Sequence, residues 1–444
     1  MRFARDVRLR LLPGAAALVV AALAALFGGA LRHDAPAAVA DALPTAVTAE
    51  LQKGFGAGDT QAEIAGLQAE LRLSPHDVKA LDTLGLAYQQ RVRETGDPTY
   101  YGKADGILHE ALRLAPRDLI ATAGLGQLAL SRHRFREALA LGRRARNISP
   151  TTAGVYGVIG DAELELGRYR NAFAAFDRMA SLRPSLASYA RISYARELLG
   201  RVGAAERAMQ LAASAAVGER EASSWTHVQL GLLYLGHAQP RRALQELRIA
   251  LDLDPTYYVA LDGMAQVQAR LGRLQEAIAY ARAAVDRVPL PTQVAFLGDL
   301  YAATGRHELA RTEYGLIDVI EKLLAANGVR NDLDIALFDA DHGIALRHAL
   351  VLARTGYAER PSIFGDDVLA WALARNGRCA EAMHYSRRSL RLGTEDALKF
   401  FHRGWIAACL GRRGEAAAWY RRALALNPRF SILWAPVARR EATP

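Results

Sequence analysis

Between residues 59 and 430, apolar side chains recur every three or four positions in short runs, each closed by a glycine or a proline. That period lines one face of a helix, and the punctuation ends it after a few turns. Alternation of Val, Ile and Thr with polar residues, which strands would need, is scarce. The expected fold class is all-α. At the front, Thr60 stands three residues before Glu63, a capping-box pattern, and Ile64, Leu67 and Leu71 share the face that follows. This predicts a lone helix ahead of the regular pattern.

The punctuation keeps time. Pro116, Pro150, Pro184, Pro255, Pro289, Pro361 and Pro428 are separated by 34, 34, 71, 34, 72 and 67 residues, one or two periods of a single repeat. One half of each period carries a Leu-Gly pair and an aromatic residue, as in Leu84-Gly85 with Tyr88, Leu230-Gly231 with Tyr234, and Leu297-Gly298 with Tyr301. The other half spaces alanine, a bulky residue, a small residue and proline by four, three and five: Ala243, Leu247, Ala250, Pro255, or Ala416, Tyr420, Ala423, Pro428. Gly167, Gly200, Gly272, Gly305, Gly377 and Gly411 divide the halves. Two amphipathic helices that must cross closely need small residues at the crossing. Glycine just past a helix end accepts the left-handed backbone that reverses the chain. One such hairpin cannot bury its own face, so the units stack.

These residues resemble the tetratricopeptide-repeat family, whose pattern is W-x-x-L-G-x-x-Y followed by A-x-x-x-F, A and P. The resemblance covers residues 59–430 and implies an α-α superhelical solenoid of about ten helix pairs. The first unit departs from the pattern by about seven extra residues between Tyr88 and Ala104, and Ile317 to Asn331 prolong a helix past the repeat length. Residues 431–444, with Trp434, form a C-terminal cap or tail.

Ahead of the array, Arg2, Arg5, Arg8 and Arg10 precede an uncharged apolar stretch of 21 residues, 11–31, long enough to cross a bilayer. Residues 1–31 read as a signal peptide or signal anchor, and 32–58 as a flexible tether rich in Ala and Pro. The positive flank stays in the cytoplasm, which sends the repeats across the membrane into the cell envelope or beyond.

The formal net charge of +10 comes from scattered arginine with no block of like charges, and nucleic acid is not an expected partner. Motifs of nucleophilic, zinc-protease, P-loop or dinucleotide chemistry are missing from the sequence. No catalysis, cofactor or small-molecule substrate is expected. The one polar constellation weighed as a divalent-metal site is Asp339, Asp341, His342 and His348, against a reading in which Asp341 and Gly343 simply serve a helix turn. Cys379 and Cys409 fall at the same edge of successive units. A disulfide is conceivable in an oxidising compartment, with two free thiols the expectation.

In the resembled family the first helix of each pair lines a concave groove. The residue after the small crossing residue then faces inward, which selects Asp161, Tyr194, Asp299, Trp371 and Trp405. Among residues of the neighbouring inward positions, Arg191 is the sole fixed positive charge. The groove reads as apolar and mildly acidic, suited to an apolar or weakly basic peptide. Trp371 and Trp405, 34 residues apart, are expected side by side with Phe401 nearby. They form the leading partner-binding candidates together with Tyr194, Phe296 and Asp299. The alternative is that Trp434 folds back over the indoles. The expectation is therefore an exported scaffold that binds a protein or peptide. Two alternatives stand beside it: an accessory subunit of an envelope transport or secretion assembly, and a metal-dependent protein with its site near Asp341.

Overall fold

A computed structural model describes residues 60–442, which form 22 α-helices and, among these residues, no strand. The N-terminal apolar stretch lies outside the described residues. Within them, no helix is long and apolar enough to cross a membrane. A leading helix, α1 (Thr60–Leu73), is followed by ten hairpins. The first five pairs are α2 (Val78–Thr95) with α3 (Thr99–Leu114), α4 (Leu119–Ser131) with α5 (Phe135–Ile148), α6 (Ala153–Glu165) with α7 (Tyr169–Leu182), α8 (Leu186–Leu198) with α9 (Val202–Ala215), and α10 (Arg220–Gly236) with α11 (Pro240–Leu253). The second five are α12 (Tyr258–Leu271) with α13 (Leu274–Arg287), α14 (Pro291–Ala303) with α15 (His307–Ala326), α16 (Asp332–His342) with α17 (Leu346–Glu359), α18 (Ile363–Arg375) with α19 (Cys379–Ser389), and α20 (Ala397–Cys409) with α21 (Arg413–Leu426). A short α22 (Ala435–Glu441) closes the series. Each helix packs most extensively on its hairpin partner, and each hairpin on the next.

The pairing follows from a fixed spacing. Gly160, Gly231, Gly298 and Gly404 each precede Phe176, Leu247, Tyr314 and Tyr420 by 16 residues, and the bulky side chain fills the face the glycine leaves open. A β-carbon on Gly231 would stand 3.0 Å from Leu247 Cγ, and one on Gly263 of the next unit 2.6 Å from Leu247 Cδ2. Leu247 is therefore wedged between two units. In the first pair the inserted residues raise the Gly85–Leu108 separation to 23, and the same fit is kept, since a β-carbon on Gly85 would stand 2.5 Å from Leu108. The insertion is absorbed by extending α2 to 18 residues, where Gly96 at φ 70° stops it and returns its N–H to the Val92 carbonyl. The prolonged helix expected downstream is α15, at 20 residues.

The solenoid coils far enough that its later units land on its earlier ones. His133 Nδ1 lies 2.7 Å from the Arg330 carbonyl, and the Ile363 N–H donates to Tyr169 Oη at 2.6 Å. Thr394 Oγ1 donates to the Leu198 carbonyl at 2.5 Å and Asn427 Nδ2 to the Leu235 carbonyl at 3.1 Å. These partners are 192 to 197 residues apart, between five and six repeats. Hairpin turns of the second to fifth pairs thus meet the chain that leaves the seventh to tenth. Gly200, at φ 67°, is doubly required there: its backbone is left-handed, and a β-carbon would sit 2.5 Å from the Gly393 carbonyl oxygen. A single buried ion pair adds to the seam, with Glu165 accepting from Arg360 Nε and Nη2 at 2.5 and 3.0 Å.

Candidate partner-binding cavity

The inward positions of the first helices do not form one continuous open groove. Asp161 on α6 is fully buried and spent on Arg191 of α8, which donates from Nε at 2.9 Å and from Nη2 at 2.6 Å. Burial raises the Asp161 carboxyl to about 6 even though the guanidinium opposes it. Tyr194 on α8 is half-buried and packs in a cluster with Tyr169 and Ile363, the latter from the overlying turn. Desolvation by burial raises its hydroxyl pKa.

The aromatic platform requires correction. Trp371 on α18 and Phe401 on α20 expose none of their surface, and Trp405 is half-buried. Trp434 covers them, with ring centres 5.4 Å from Trp371, 5.7 Å from Trp405 and 5.2 Å from Phe401. Both Trp371 Nε1 and Trp434 Nε1 donate to Asp341 Oδ1 at 2.8 Å. The Arg375 guanidinium lies 5.3 to 5.7 Å from all three indole centres. His402 stacks on Trp371 at 4.3 Å and points Nδ1 at Asp367, 3.0 Å away. Burial works against a charge on His402, but Asp367, joined by Asp341 and Asp396, more than offsets it and holds the imidazole above its ordinary value. The indoles stand next to each other as the 34-residue spacing implied, yet the tail fills the space a partner would have used.

The acidic and imidazole residues near Asp341 likewise have other work. Asp341 is the double indole acceptor, His342 Nδ1 donates to the Phe338 carbonyl (2.8 Å) while its Nε2 meets Asp299 Oδ1 (2.8 Å), and Asp339 faces His348 at 4.0 Å. Among the described residues, no group of three or more His, Cys, Asp or Glu is arranged to hold a metal ion. The two cysteines are also corrected: Cys379 and Cys409 are joined in a disulfide, with Cα atoms 6.2 Å apart, linking the ninth and tenth pairs.

Phe296 and Asp299 line open space. A cavity of about 510 Å³ lies between α12, α14 and the segment from Arg429 to Arg439. Its inner wall carries Asp262, Gln266, Phe296 and Asp299, and its outer wall Phe430, Ile432 and Pro436. Tyr314 Oη donates to Asp299 Oδ1 at 2.8 Å, and the Asp299–His342 contact raises the His342 pKa despite burial, which opposes the charge. Asp262 accepts from Gln266 Nε2 at 2.8 Å, and burial pushes its carboxyl up to about 6. Arg270 and Arg429 clasp each other across the cavity edge. Each donates to the other's main-chain carbonyl, Arg429 Nη1 to Arg270 O at 2.9 Å.

The family model described as "Tetratricopeptide repeat" matches residues 228–290, and a second of the same description matches 397–430. The chain is a tetratricopeptide-repeat protein. The first match spans the fifth and sixth pairs, the second the tenth, so both walls of the cavity arise from repeats that conform to the family pattern or adjoin one. The array is 27% identical over 339 residues to a protein of Xanthomonas axonopodis pv. citri named "Cellulose synthase operon protein C". That alignment takes in 71% of this chain but only 19% of the relative's length. Among solved structures, the array is similar to a human IFIT1 dimer with PPP-AAAA at 15% identity, 83% and 87% coverage and a TM-score of 0.45. A tetratricopeptide repeat protein from Parabacteroides merdae is similar at 16% identity, 58% and 97% coverage and a TM-score of 0.34.

Sequence reasoning on the array picked out Phe296 and Asp299 but missed Arg270, Arg429 and Arg439. Arg270 sits in the last turn of a first helix, away from the crossing residue, and the other two lie in the tail, where no repeat register assigns a direction. A basic pair flanking Phe430 and Ile432 was the available signal.

Proposed function

We propose that this is an exported or membrane-anchored tetratricopeptide-repeat scaffold that seats a segment of a partner protein at the cavity lined by Phe296 and Asp299, with no catalysis of its own. The observation that carries the reading is the open space of about 510 Å³ beside Phe296 and Asp299. Its mix of apolar walls and a few convergent polar groups suits a peptide side chain with its backbone. Placement outside the cytoplasm draws support from the arginine flank before the apolar stretch and from the disulfide, which persists in oxidising compartments.

The similarity to a protein named for a cellulose synthase operon favours a narrower second reading, an accessory subunit of an envelope polysaccharide assembly. Both readings share one test. A photo-crosslinking residue placed at Phe296 in the full chain, in its native cells, should give a discrete protein adduct, while one placed at exposed Arg311 gives none. No adduct at Phe296, or the same pattern at both positions, removes the cavity as the partner's seat. A reporter active only in the cytoplasm, fused after Pro444, should be silent; activity there overturns export.

A further inference from the structure

We infer that the cavity recognises an anion, and that the segment it seats is an acidic peptide whose Asp or Glu carboxylate is held by Arg270, Arg429 and Arg439 while an adjacent apolar side chain packs on Phe296 and Ile432. This rests on the reading of the cavity as the partner's seat and reverses the partner charge expected from the first helices alone.

The argument is one of unspent charge. Arg270 donates to the Arg429 carbonyl, Arg429 to the Arg270 carbonyl at 2.9 Å, and Arg439 Nη2 to the Pro428 carbonyl at 3.0 Å. These bonds bring the Arg270 and Arg439 guanidinium groups to residues 428–429 and the Arg429 guanidinium to the C-terminal end of α12, and all three residues line the cavity. Among the described residues no carboxylate lies within ion-pairing distance of any of them. Elsewhere in the array, the buried arginines are matched: Arg132 with Asp105, Arg191 with Asp161, Arg360 with Glu165, Arg403 with Glu415. Like charges gathered on a concave surface repel each other unless a counter-ion joins them, and their summed field concentrates anions there. Main-chain carbonyls orient a guanidinium but leave most of its five N–H donors and its full charge available. The planar fork then matches a carboxylate in bidentate fashion.

The cavity's own carboxylates do not cancel this charge. Asp299 is already engaged by Tyr314 and His342, and Asp262 stands on the inner wall bonded to the Gln266 amide. Burial lowers the Arg270 pKa to about 10, as follows when a guanidinium is desolvated without an anion beside it. The apolar remainder of the lining, with Phe296, Phe430, Ile432 and Pro436, provides packing surface for a side chain next to the acid.

The test uses the full-length chain in mild detergent and three short fluorescent peptides that alternate Leu with Glu, Gln or Lys, read by anisotropy. The Glu peptide should bind about 10-fold or more tightly than the Gln peptide, since a hydrogen bond to a charged group carries that much discrimination. Arg429→Ala and Arg439→Gln should each weaken it by a similar factor without moving the melting temperature. Equal binding of the Gln peptide, or no effect of either arginine variant, overturns the inference. Polygalacturonate or inorganic phosphate binding the same arginines more tightly than the Glu peptide overturns the peptide assignment. Preference for the Lys peptide, lost in Phe296→Ala, would sink the acidic partner while leaving the cavity as a seat. Failure of all three peptides together with no crosslink at Phe296 would sink the seat itself.

Discussion

Asp161 and Asp299 hold the same slot, one residue past the crossing glycine, in the third and seventh pairs. In the third pair the carboxylate is buried and locked to Arg191, and one turn further along Glu165 is locked to Arg360 from the overlying coil. In the seventh pair the carboxylate is largely buried, meets a hydroxyl and an imidazole, and lines a cavity whose arginines rest on carbonyls. The difference lies in what lands on each region. The later coil covers the third and fourth pairs with charged and main-chain groups that must be satisfied, whereas the sixth pair is met by the segment around Arg429. Equivalent residues therefore sit in a covered ion pair in one place and on the wall of a cavity in the other.

The strongest way to break this contrast is Glu165→Gln, which leaves Arg360 buried without its bidentate partner. A loss of about 3–5 kcal/mol is expected in denaturant midpoints, while Asp299→Asn should cost far less. Equal losses would erase the distinction between the two regions. Gly231→Leu comes next, because Leu247 already fills the notch and its neighbour at Gly263. It should cost about 1–3 kcal/mol, with hydrogen-exchange protection lost in the fifth and sixth pairs first. Uniform loss along the array would mean that the seam, not the crossing, governs stability. Asp262→Asn tests the cavity's carboxylate through pH. Its folded pKa of about 6 lies above the ordinary 3.8, so its contribution is fully present below 3.8 and is lost as pH rises through 6. The variant should therefore gain on the parent across that window and run parallel to it above, by about 1–2 kcal/mol after solvent screening. A difference independent of pH would show that the carboxyl is not held protonated. Smallest of all, Arg429→Ala should shift stability by no more than ~0.5 kcal/mol. A large loss would place this arginine with the structural charges.

The hairpins were legible because everything that makes them is local. The glycine and its bulky partner fall within one period, as Gly231 and Leu247 do, so the sequence alone announces the crossing. The register likewise put Trp371 and Trp405 together. What the register could not decide was the cover, which the sequence offered only as an alternative: Trp434 belongs to no repeat, and its seat depends on Asp341 accepting two indole N–H groups at once. The seam between coils was hidden for a related reason. Most of its contacts run to main-chain carbonyls, such as Leu198 and Leu235, which any residue type presents. The disulfide was a matter of geometry alone, since spacing brought the cysteines to one edge but could not say whether their sulfurs met.

Repeat arrays commonly change length by gaining or losing a unit, since each unit touches only its neighbours. The seam between coils withdraws that freedom here. Gly200 must meet Gly393, Glu165 must meet Arg360, and Asn427 must meet Leu235, all at offsets fixed near 195 residues. Duplicating or deleting one hairpin between Leu235 and Arg360, the part common to all three spans, would slide every one of these contacts out of register together. The number of units within a coil is thus held constant by geometry, and variation in this lineage is expected as point substitution, or as additions at the ends of the array.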